Sequence, residues 1–379
     1  MKKFFIAFQV IASCLILCAA CSDVDSSTRR INIDVETFSP VTDFFDEVRY
    51  VILETNDSSI IGERVKFRLA SDYNRIVAFS DQTGFTVFDG NGKWINTFDH
   101  QGEGPEEYIG ITDFYLFKGE LYAVSCYQSK ILVYSIDTGE CNRVINMADN
   151  YSDATWLNDN YIALCSAYNN TSLYNLAILN ASEGKIEKQF LPYKFFDSST
   201  DSNYKAFVGR DAEGVYVTLP YNTDLYYLTS DTCVVAETYC FNSPDKLPQI
   251  KMEDVNKREM EELTRTTRSV NWLGYFCKPS ADMCYQAFEL LTDYGNMTYI
   301  SKYNPISCEN RTFCVGATDE FPYLIWKPVL MNDDYYICAP KAEFILSYEN
   351  MSGRTTFTDA GLTHDSNPVI FFYHLNHSW

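Results

Sequence analysis

The alternation of apolar and polar residues predicts short β-strands that are joined in pairs by tight turns. Residues 85–98, FTVFDGNGKWINTF, show the pattern, because two apolar stretches flank an Asp-Gly-Asn-Gly turn. Alternating positions of this kind are typical of half-buried strands, and Asn-Gly or Asp-Gly between two of them is typical of a hairpin. The stretch is therefore predicted to be a β-hairpin, with Phe88, Gly92 and Phe98 as parts of its framework.

The hairpin recurs along the chain at a nearly constant interval. Five copies are predicted, at residues 86–98, 131–145, 177–190, 225–241 and 298–313. Their turn centres are 47, 45, 47 and 77 residues apart. The longest interval contains residues 252–267, a charged stretch without glycine or proline that predicts a helix. Without an insertion of about 30 residues, every interval matches the length of one four-stranded propeller blade.

A second pair of predicted strands precedes most of the hairpins, which makes four strands in each repeat. These pairs lie at residues 65–69 with 76–79, 114–117 with 121–125, 206–209 with 215–219, and 275–278 with 283–290. A four-stranded unit of this size cannot cover both of its own faces. Successive units are therefore expected to pack against each other around a ring.

The two ends of the chain are predicted to form a sixth blade together. This blade begins with strands at 324–331 and 335–339, and residues 341–351 are expected to be helical or irregular. The strands that remain are 47–54 and 367–375, and closing the ring would pair them. We therefore predict an all-β, six-bladed β-propeller that is closed by its N- and C-terminal strands and carries a helical insertion between blades four and five. Seven blades are the alternative, because blade boundaries in a single sequence are loose.

The N-terminus predicts a lipoprotein leader. Lys2 and Lys3 precede an apolar run that is too short for a stable membrane span and ends Leu-Cys-Ala-Ala-Cys at residues 17–21. This ending resembles the lipobox of bacterial lipoproteins, although Cys18 stands where leucine is usual. The resemblance implies that Cys21 is the lipid-attachment residue. An ordinary cleaved signal is the alternative.

These features divide the chain into three regions. We expect a signal peptide at 1–20, a lipidated tether at 21–45, and a single propeller domain at 46–376 with its helical insertion at about 244–270. The polar, acidic residues 22–27 resemble the surface-export signals of Bacteroidota lipoproteins. The resemblance implies an outer-membrane lipoprotein that faces either the periplasm or the cell surface.

Four short motifs together resemble the six-bladed β-propeller lipoproteins of Bacteroidota, which are relatives of the NHL-repeat propellers. The motifs are VRYVILE at 48–54, FDGNGK at 88–93, GEGPEEY at 102–108 and NPV at 367–369. The resemblance implies the propeller fold and an exported location. It implies no particular activity.

Composition and charge narrow the possible partners. Aromatic residues make up 16% of the chain, with 28 Tyr and 26 Phe, which favours sheet over helix. A formal charge of −21 disfavours nucleic acid and a bare anionic membrane surface as partners, so we expect the lipid anchor to make the membrane contact. Ten of the thirteen cysteines follow Cys21 in the chain, and no two of these ten have the Cys-x-x-Cys spacing of a zinc or redox site. We expect a monomer that needs no cofactor.

The loop at residues 102–108 occurs once and is the first candidate for a site. It lacks the Gly-Lys-Ser/Thr of a phosphate loop, and its acidic residues would repel phosphate. As a structural element it is predicted to cross between blades, with its glycines at positive φ, Pro105 stiffening the turn and Tyr108 packing down as a lid. As a binding site, it would use Glu103 and Glu106 with Tyr108 to bind a sugar hydroxyl, an amine or a cation at the ring entrance.

Further candidates are aromatic or acidic residues elsewhere in the ring. Stacking platforms for sugars could come from Trp156, Tyr221, Tyr226, Tyr227 and Trp272, although buried packing is the favoured interpretation of each. Of these, Tyr226 is selected together with Asp211 as a ligand-binding candidate. A metal in the channel, as in lactonase-like six-bladed relatives, would draw on Glu63, Asp113, Asp153, Asp211 and Asp282.

The sequence favours a non-enzymatic role. No His-Glu-x-x-His motif and no Gly-x-Ser-x-Gly motif occur, and no catalytic residue is predicted. The favoured function is a binding or scaffold module that engages a glycan, a peptide or a partner protein at one rim of the ring. The alternative is a hydrolase or lyase that uses calcium or zinc in the central channel.

Replacing the predicted lipid-attachment residue tests the anchor. Cys21→Ala removes the thiol that would be acylated, so the variant should leave the membrane fraction. Cell fractionation followed by immunodetection measures this. A variant that stays membrane-bound would show that the anchor is assigned wrongly.

Overall fold

The computed structural model describes residues 28–194, 205–220, 222–242, 270–292, 295–324 and 326–379. Its strands form six sheets, each built from strands that follow one another in the chain, with two exceptions: the strand Phe45–Ile52 joins the last sheet at the closure, and the strand Arg29–Ile33 joins the fourth. The predicted leader with Cys21, and the helix predicted at 252–267, lie outside the described residues.

Two strands precede the first complete blade. They are β1 (Arg29–Ile33) and β2 (Phe45–Ile52), with a 3-10 helix at Val41–Asp43 between them. Blade one then consists of β3 (Lys66–Leu69), β4 (Arg75–Ser80), β5 (Gly84–Asp89) and β6 (Trp94–Phe98). Blade two consists of β7 (Asp113–Phe117), β8 (Glu120–Ser125), β9 (Lys130–Ser135) and β10 (Cys141–Asn146), with a 3-10 helix at Cys126–Gln128.

The next three blades repeat this order. Blade three consists of β11 (Asp153–Trp156), β12 (Tyr161–Cys165), β13 (Tyr174–Asn180) and β14 (Lys185–Pro192). Blade four consists of β15 (Phe207–Arg210), β16 (Val215–Val217), β17 (Asp224–Leu228) and β18 (Cys233–Phe241). Blade five consists of β19 (Val270–Ser280), β20 (Met283–Thr292), β21 (Gly295–Tyr303) and β22 (Asn310–Cys314).

Blade six combines the two ends of the chain, as the sequence predicts. It contains β23 (Leu330–Met331), β24 (Tyr335–Cys338) and β25 (Val369–Leu375), and β2 is its outermost strand. Two helices, α1 (Ala342–Ser352) and α2 (Thr356–Asp359), lie between β24 and β25. The six-bladed ring is therefore confirmed, and so is the pairing of the N- and C-terminal strands that closes it.

The turn between β5 and β6 shows what makes the chain reverse in a hairpin. In the turn between β5 and β6, one carboxylate oxygen of Asp89 accepts the backbone N–H groups of Asn91 (2.8 Å) and Lys93 (2.9 Å). Gly92 takes a φ of 83°, and a Cβ there would lie 2.3 Å from the carbonyl oxygen of Ile52. Only glycine fits this position, because its φ is positive and a neighbouring strand approaches so closely.

The apolar core lies between the blades. The first strand of each blade is the innermost, and each contacts the first strand of the next blade from β3 to β23. Six buried clusters fill the spaces between successive sheets, including the one between blades six and one. Between blades one and two, for example, Val77 and Phe85 pack with Phe114 and Leu132. Each blade therefore depends on both of its neighbours for burial.

A polar clamp joins blade six to the chain that enters blade one. The buried Asn367 donates from Nδ2 to the carbonyls of Glu54 (2.7 Å) and Ser59 (2.8 Å) and accepts the N–H of Ile61 at Oδ1 (2.9 Å). The carboxylate of Glu54 accepts the N–H of Trp94 at 3.0 Å. The backbone N–H of Glu54 also donates to the carbonyl of Gly92 at 2.8 Å. Three of the four resemblance motifs, at 48–54, 88–93 and 367–369, thus meet at one seam.

The region predicted as a tether differs from the expectation. Within residues 21–45, Arg29–Ile33 forms β1, a fifth strand that pairs in parallel with β18 on the outer edge of blade four. The cause is the spacing of Ile31 and Ile33, which point to one side of the strand and are buried between blades four and five. A tether can therefore extend no further than residue 28.

The seam predicts a specific loss of stability. Asn367→Ala would leave the backbone groups of Glu54, Ser59 and Ile61 without their partner, so the free energy of unfolding should fall by about 2–4 kcal/mol. Asn91→Ala, at an exposed turn position, is the matched control and should change it by less than about 0.5 kcal/mol. Chemical denaturation measures both. Equal, small effects would contradict the role given to Asn367.

Candidate functional site

The ring has two faces that differ in the connections they carry. The inner strands begin on one face, here called the mouth face, which carries the crossovers between blades and the turns between second and third strands. It includes residues 53–65, 99–112 and 126–129. The opposite face, here called the hairpin face, carries the remaining turns, such as 211–214 and 304–309.

Charged side chains at the starts of the inner strands meet in the channel. The Nζ of Lys205, just before β15, lies 2.6 Å from a carboxylate oxygen of Asp113 and 2.9 Å from one of Asp153. The guanidinium of Arg68 pairs with the other oxygen of Asp113. The ammonium of Lys66, at the start of β3, donates to two carbonyls of the next crossover. These five residues are called the channel cluster.

The two carboxyl groups of the cluster have opposite proton affinities. Burial disfavours the charge of Asp113, but Arg68 and Lys205 outweigh burial and hold its pKa well below the ordinary value. Burial raises the pKa of Asp153, and the negative charge of Asp113 acts in the same direction while Lys205 opposes both. The lysine is thus shared between a firmly ionised carboxylate and one that ionises with difficulty.

The channel cluster does not have the donor set of a metal site. Calcium and magnesium need six or more oxygen ligands, whereas here two carboxylates face three cationic side chains. Within the described ranges, no group of three or more His, Cys, Asp or Glu side chains could hold a metal ion. Of the five acids that the sequence proposes as ligands, only Asp113 and Asp153 are brought together. Asp211 and Asp282 lie in turns of the hairpin face, and Glu63 lies on the mouth face.

The loop at 102–108 crosses from blade one to blade two on the mouth face. The Nζ of Lys130 donates to the carbonyls of Gly104 (3.1 Å) and Pro105 (3.2 Å). Tyr108 is buried, and its hydroxyl donates to the carboxylate of Asp99 at 2.6 Å. The loop therefore crosses between blades with Tyr108 packed down, as its structural interpretation predicts.

The reason for the two loop glycines differs from the prediction. Neither Gly102 nor Gly104 takes a positive φ, so that expectation is wrong. Instead, the carboxylate of Glu107 folds back over the loop and accepts the N–H of Gly104 at 2.8 Å. A Cβ on Gly102 would lie 2.1 Å from that carboxylate. A side chain at residue 102 would displace this carboxylate from its hydrogen bond with Gly104, and a single sequence does not show such an approach.

Two carboxylates of this loop face solvent. Glu103 and Glu106 are exposed, and neither side chain makes a hydrogen bond within the described part of the chain. The backbone beneath them is fixed, because the hydroxyl of Tyr134 donates to the carbonyl of Glu106 at 3.1 Å. The loop backbone therefore holds both acids in place, and a ligand in solvent can reach their carboxylates.

An exposed aromatic ring lies next to the same crossover. Tyr127, in the 3-10 helix Cys126–Gln128, is 69% exposed. A Cβ on Gly110 would lie 3.7 Å from its ring, and Gln128 accepts the N–H of Ile109 at 3.0 Å. Ile109 is itself half exposed. Tyr127 is not among the residues predicted from sequence, where its only signal is an aromatic residue in the short polar turn after β8.

A second group of apolar residues lies on the mouth face near blade six. The rings of Trp326 and Phe344 lie 5.1 Å apart, and both are partly exposed. Nearby, a cavity of about 340 Å³ lies between the crossover into blade one and the start of α1. Its lining includes the carboxylates of Glu63, Glu343 and Asp365.

The two remaining predicted site residues, Tyr226 and Asp211, are not exposed on the mouth face. Tyr226 is packed between blades three and four, where it contributes apolar burial, and its hydroxyl accepts a hydrogen bond from Asn222 at 2.8 Å. Asp211 stabilises its own turn on the hairpin face by accepting the N–H groups of Glu213 and Gly214, each at 2.9 Å. The structure therefore places neither beside Glu103, Glu106 and the loop that carries them.

The other aromatic candidates do not form a platform at the mouth either. Trp156 is buried between blades two and three. The hydroxyl of Tyr227 donates to the turn carboxylate of Asp211 at 2.7 Å on the hairpin face. Tyr221 and the side chain of Trp272 lie outside the described residues.

Comparison with known proteins supports the fold. A family model described as "Domain of unknown function (DUF4934)" matches residues 29–374. No curated protein matches the chain in sequence. A crystal structure from Bacteroides fragilis, named as a "Putative exported protein", is 15% identical and has a TM-score of 0.67. The match covers 92% of this chain and 100% of that one, which shows a shared fold.

Two further solved structures are more distant. BamB from Moraxella catarrhalis is 8% identical over 74% of this chain and 77% of its own, with a TM-score of 0.34. U3-55K is 7% identical over 86% of this chain and 98% of its own, with a TM-score of 0.48.

The shared lysine of the channel cluster can be tested by replacement. Lys205→Met would leave Asp153 buried without its cation, so the free energy of unfolding should fall by about 3–5 kcal/mol. Adding Asp153→Asn should restore part of the loss, because a neutral amide needs no counter-charge and still accepts the N–H of Ala206. Lys118→Met is the control, since it breaks an exposed ion pair with Asp159 that should contribute less than about 1 kcal/mol.

Chemical denaturation of the three variants measures these effects. The same loss in Lys205→Met with and without Asp153→Asn would show that the lysine contributes through packing and not through its charge.

Proposed function

The chain belongs to the family described as "Domain of unknown function (DUF4934)", and we propose that it is an exported, lipid-anchored propeller that binds a ligand on its mouth face without catalysis. The proposed ligand is a glycan in the first place, and a peptide or a partner protein in the second. The observation that carries the proposal is the exposed ring of Tyr127 beside the crossover that bears Glu103 and Glu106.

The chemistry of these side chains favours a sugar. A tyrosine ring offers an apolar face for the C–H groups of a sugar, and it loses little conformational entropy when it is covered. The two free carboxylates can accept hydrogen bonds from hydroxyl groups, which carry no charge to be neutralised. A polyanionic ligand is disfavoured by these acids and by the net charge of −21.

The channel supports binding better than hydrolysis. Asp113 and Asp153 lie at the starts of neighbouring inner strands, and Lys205 pairs with both. A catalytic acid or base needs to reach substrate, whereas these groups are engaged with each other and largely buried. The metal-dependent hydrolase or lyase that the sequence leaves as the alternative therefore has less support than the binding role.

Export and anchoring rest on the sequence, and the name of one similar structure supports export. The leader at 1–20 and the lipobox cysteine Cys21 predict a lipoprotein, and the similar Bacteroides fragilis structure bears the name of an exported protein. In the described part of the chain, no helix has the length and apolar character needed to cross a membrane. We propose that the acylated cysteine makes the membrane contact, at the periplasmic side or the cell surface.

Binding on the mouth face is tested with glycan and peptide arrays followed by affinity measurements. For the best array ligand, Tyr127→Ala should weaken binding about tenfold, because the ring supplies apolar contact, whereas Tyr127→Phe should retain it. The double change Glu103→Gln and Glu106→Gln should weaken binding without lowering the melting temperature, because both side chains are exposed.

Glu183→Gln, an exposed acid in a turn of the hairpin face, is the matched control and should have no effect. Unchanged binding in the Tyr127 and Glu103/Glu106 variants, or a large fall in melting temperature, would favour a structural role for this region.

A further inference from the structure

We propose that the anchored protein turns the hairpin face of blades four and five toward the bilayer, so that the mouth face points away from the membrane. The proposal rests on the lipid anchor at Cys21 proposed above. It commits to a lipid surface as the partner of this side of the molecule. Three observations carry it: the direction of β1, the length of chain between Cys21 and β1, and the side chains exposed on that side.

The direction of β1 follows from the pairing within blade four. The innermost strand β15 begins on the mouth face, and β16, β17 and β18 alternate in direction after it. The outermost strand β18 therefore runs toward the mouth face, and β1 is parallel to it, with Arg29 opposite Glu237 and Ile33 opposite Phe241. The chain before Arg29 consequently leaves β1 in the direction of the hairpin face.

The exit point is fixed by packing and charge. Ile31 and Ile33 are buried between blades four and five, and Arg29 pairs with the buried carboxylate of Glu237 at 3.3 Å. The same carboxylate accepts a hydrogen bond from Tyr239 at 3.1 Å. The strand therefore holds the start of the described chain at one place on the edge of blade four.

The reach of the preceding chain is short. Seven residues lie between Cys21 and Arg29, which makes eight steps along the chain. An extended chain covers about 3.5 Å per step, so the acylated cysteine lies within about 28 Å of Arg29. A reversal toward the mouth face would use about 13 Å of this length alongside β1 itself. The hairpin face of blades four and five is thus the side that the anchor brings closest to the bilayer.

The side chains on that side suit a membrane surface. Ile306, in the turn 304–309 of blade five, is 73% exposed, and Val234 at the start of β18 is half exposed. The partly exposed ring of Trp379 lies 5.4 Å from the ammonium of Lys302. Exposed apolar side chains and an exposed tryptophan are typical of residues at a membrane interface, whereas the ammonium of Lys302 is itself buried and only holds the Trp379 ring in place. These side chains can contact the bilayer locally, although the molecule as a whole carries a negative charge.

Energy transfer from labels on the two faces of blade five tests the orientation. Cys308 is exposed in the same turn as Ile306 and can carry a thiol-linked donor dye. A matched mouth-face position is the exposed Glu320, labelled as Glu320→Cys in a Cys308→Ser background. The full acylated protein is placed in phosphatidylcholine vesicles that contain lipids with an acceptor dye on the headgroup. Cys308→Ser alone measures labelling of the other cysteines.

Transfer from the label at Cys308 should exceed that from residue 320 about twofold or more, because the height of a blade separates the two positions by roughly 20 Å. Equal transfer, or more transfer from residue 320, would overturn the orientation. Cys21→Ala distinguishes a wrong orientation from a wrong anchor assignment, because neither label should show transfer when the lipid is absent. A Cys21→Ala protein that still binds the vesicles would contradict the proposed anchor itself.

Discussion

The fold depends on one constraint, which is that no blade can cover its own apolar faces. All six buried clusters lie between neighbouring sheets, so the ring is stable only if its last space, between blades six and one, is filled as well. The chain meets this need by placing β2 and β25 side by side in blade six. Asn367 then ties that blade to the crossover into blade one.

The same arrangement determines where charge accumulates. Because every inner strand begins on the mouth face, the polar residues at those starts converge on the axis. Asp113 and Asp153 would repel each other there if Lys205 did not lie between them. The channel cluster therefore follows from the geometry of the ring, and its opposite charges compensate each other.

The two faces of the ring have different properties. The mouth face carries the long crossovers, the helices of blade six and exposed side chains such as Tyr127, Trp326 and Glu103. The hairpin face carries short turns whose polar side chains stabilise their own backbone, as Asp211 does. The ligand site proposed on the mouth face and the anchor proposed on the side of the hairpin face are compatible, because β1 runs between the two faces along the outer edge of blade four.

The sequence by itself determined the blade repeat, the closure and the place of each hairpin, because these follow from local alternation and turn chemistry within about 47 residues. It also indicated that 102–108 crosses between blades. Only the tertiary structure decided that Tyr226 and Asp211 lie away from the 102–108 loop, that Glu107 folds back over Gly102, and that Tyr127 is exposed beside the loop. Only it showed β1 on blade four. These facts depend on contacts between residues that are distant in the chain, and a local sequence pattern does not show such contacts.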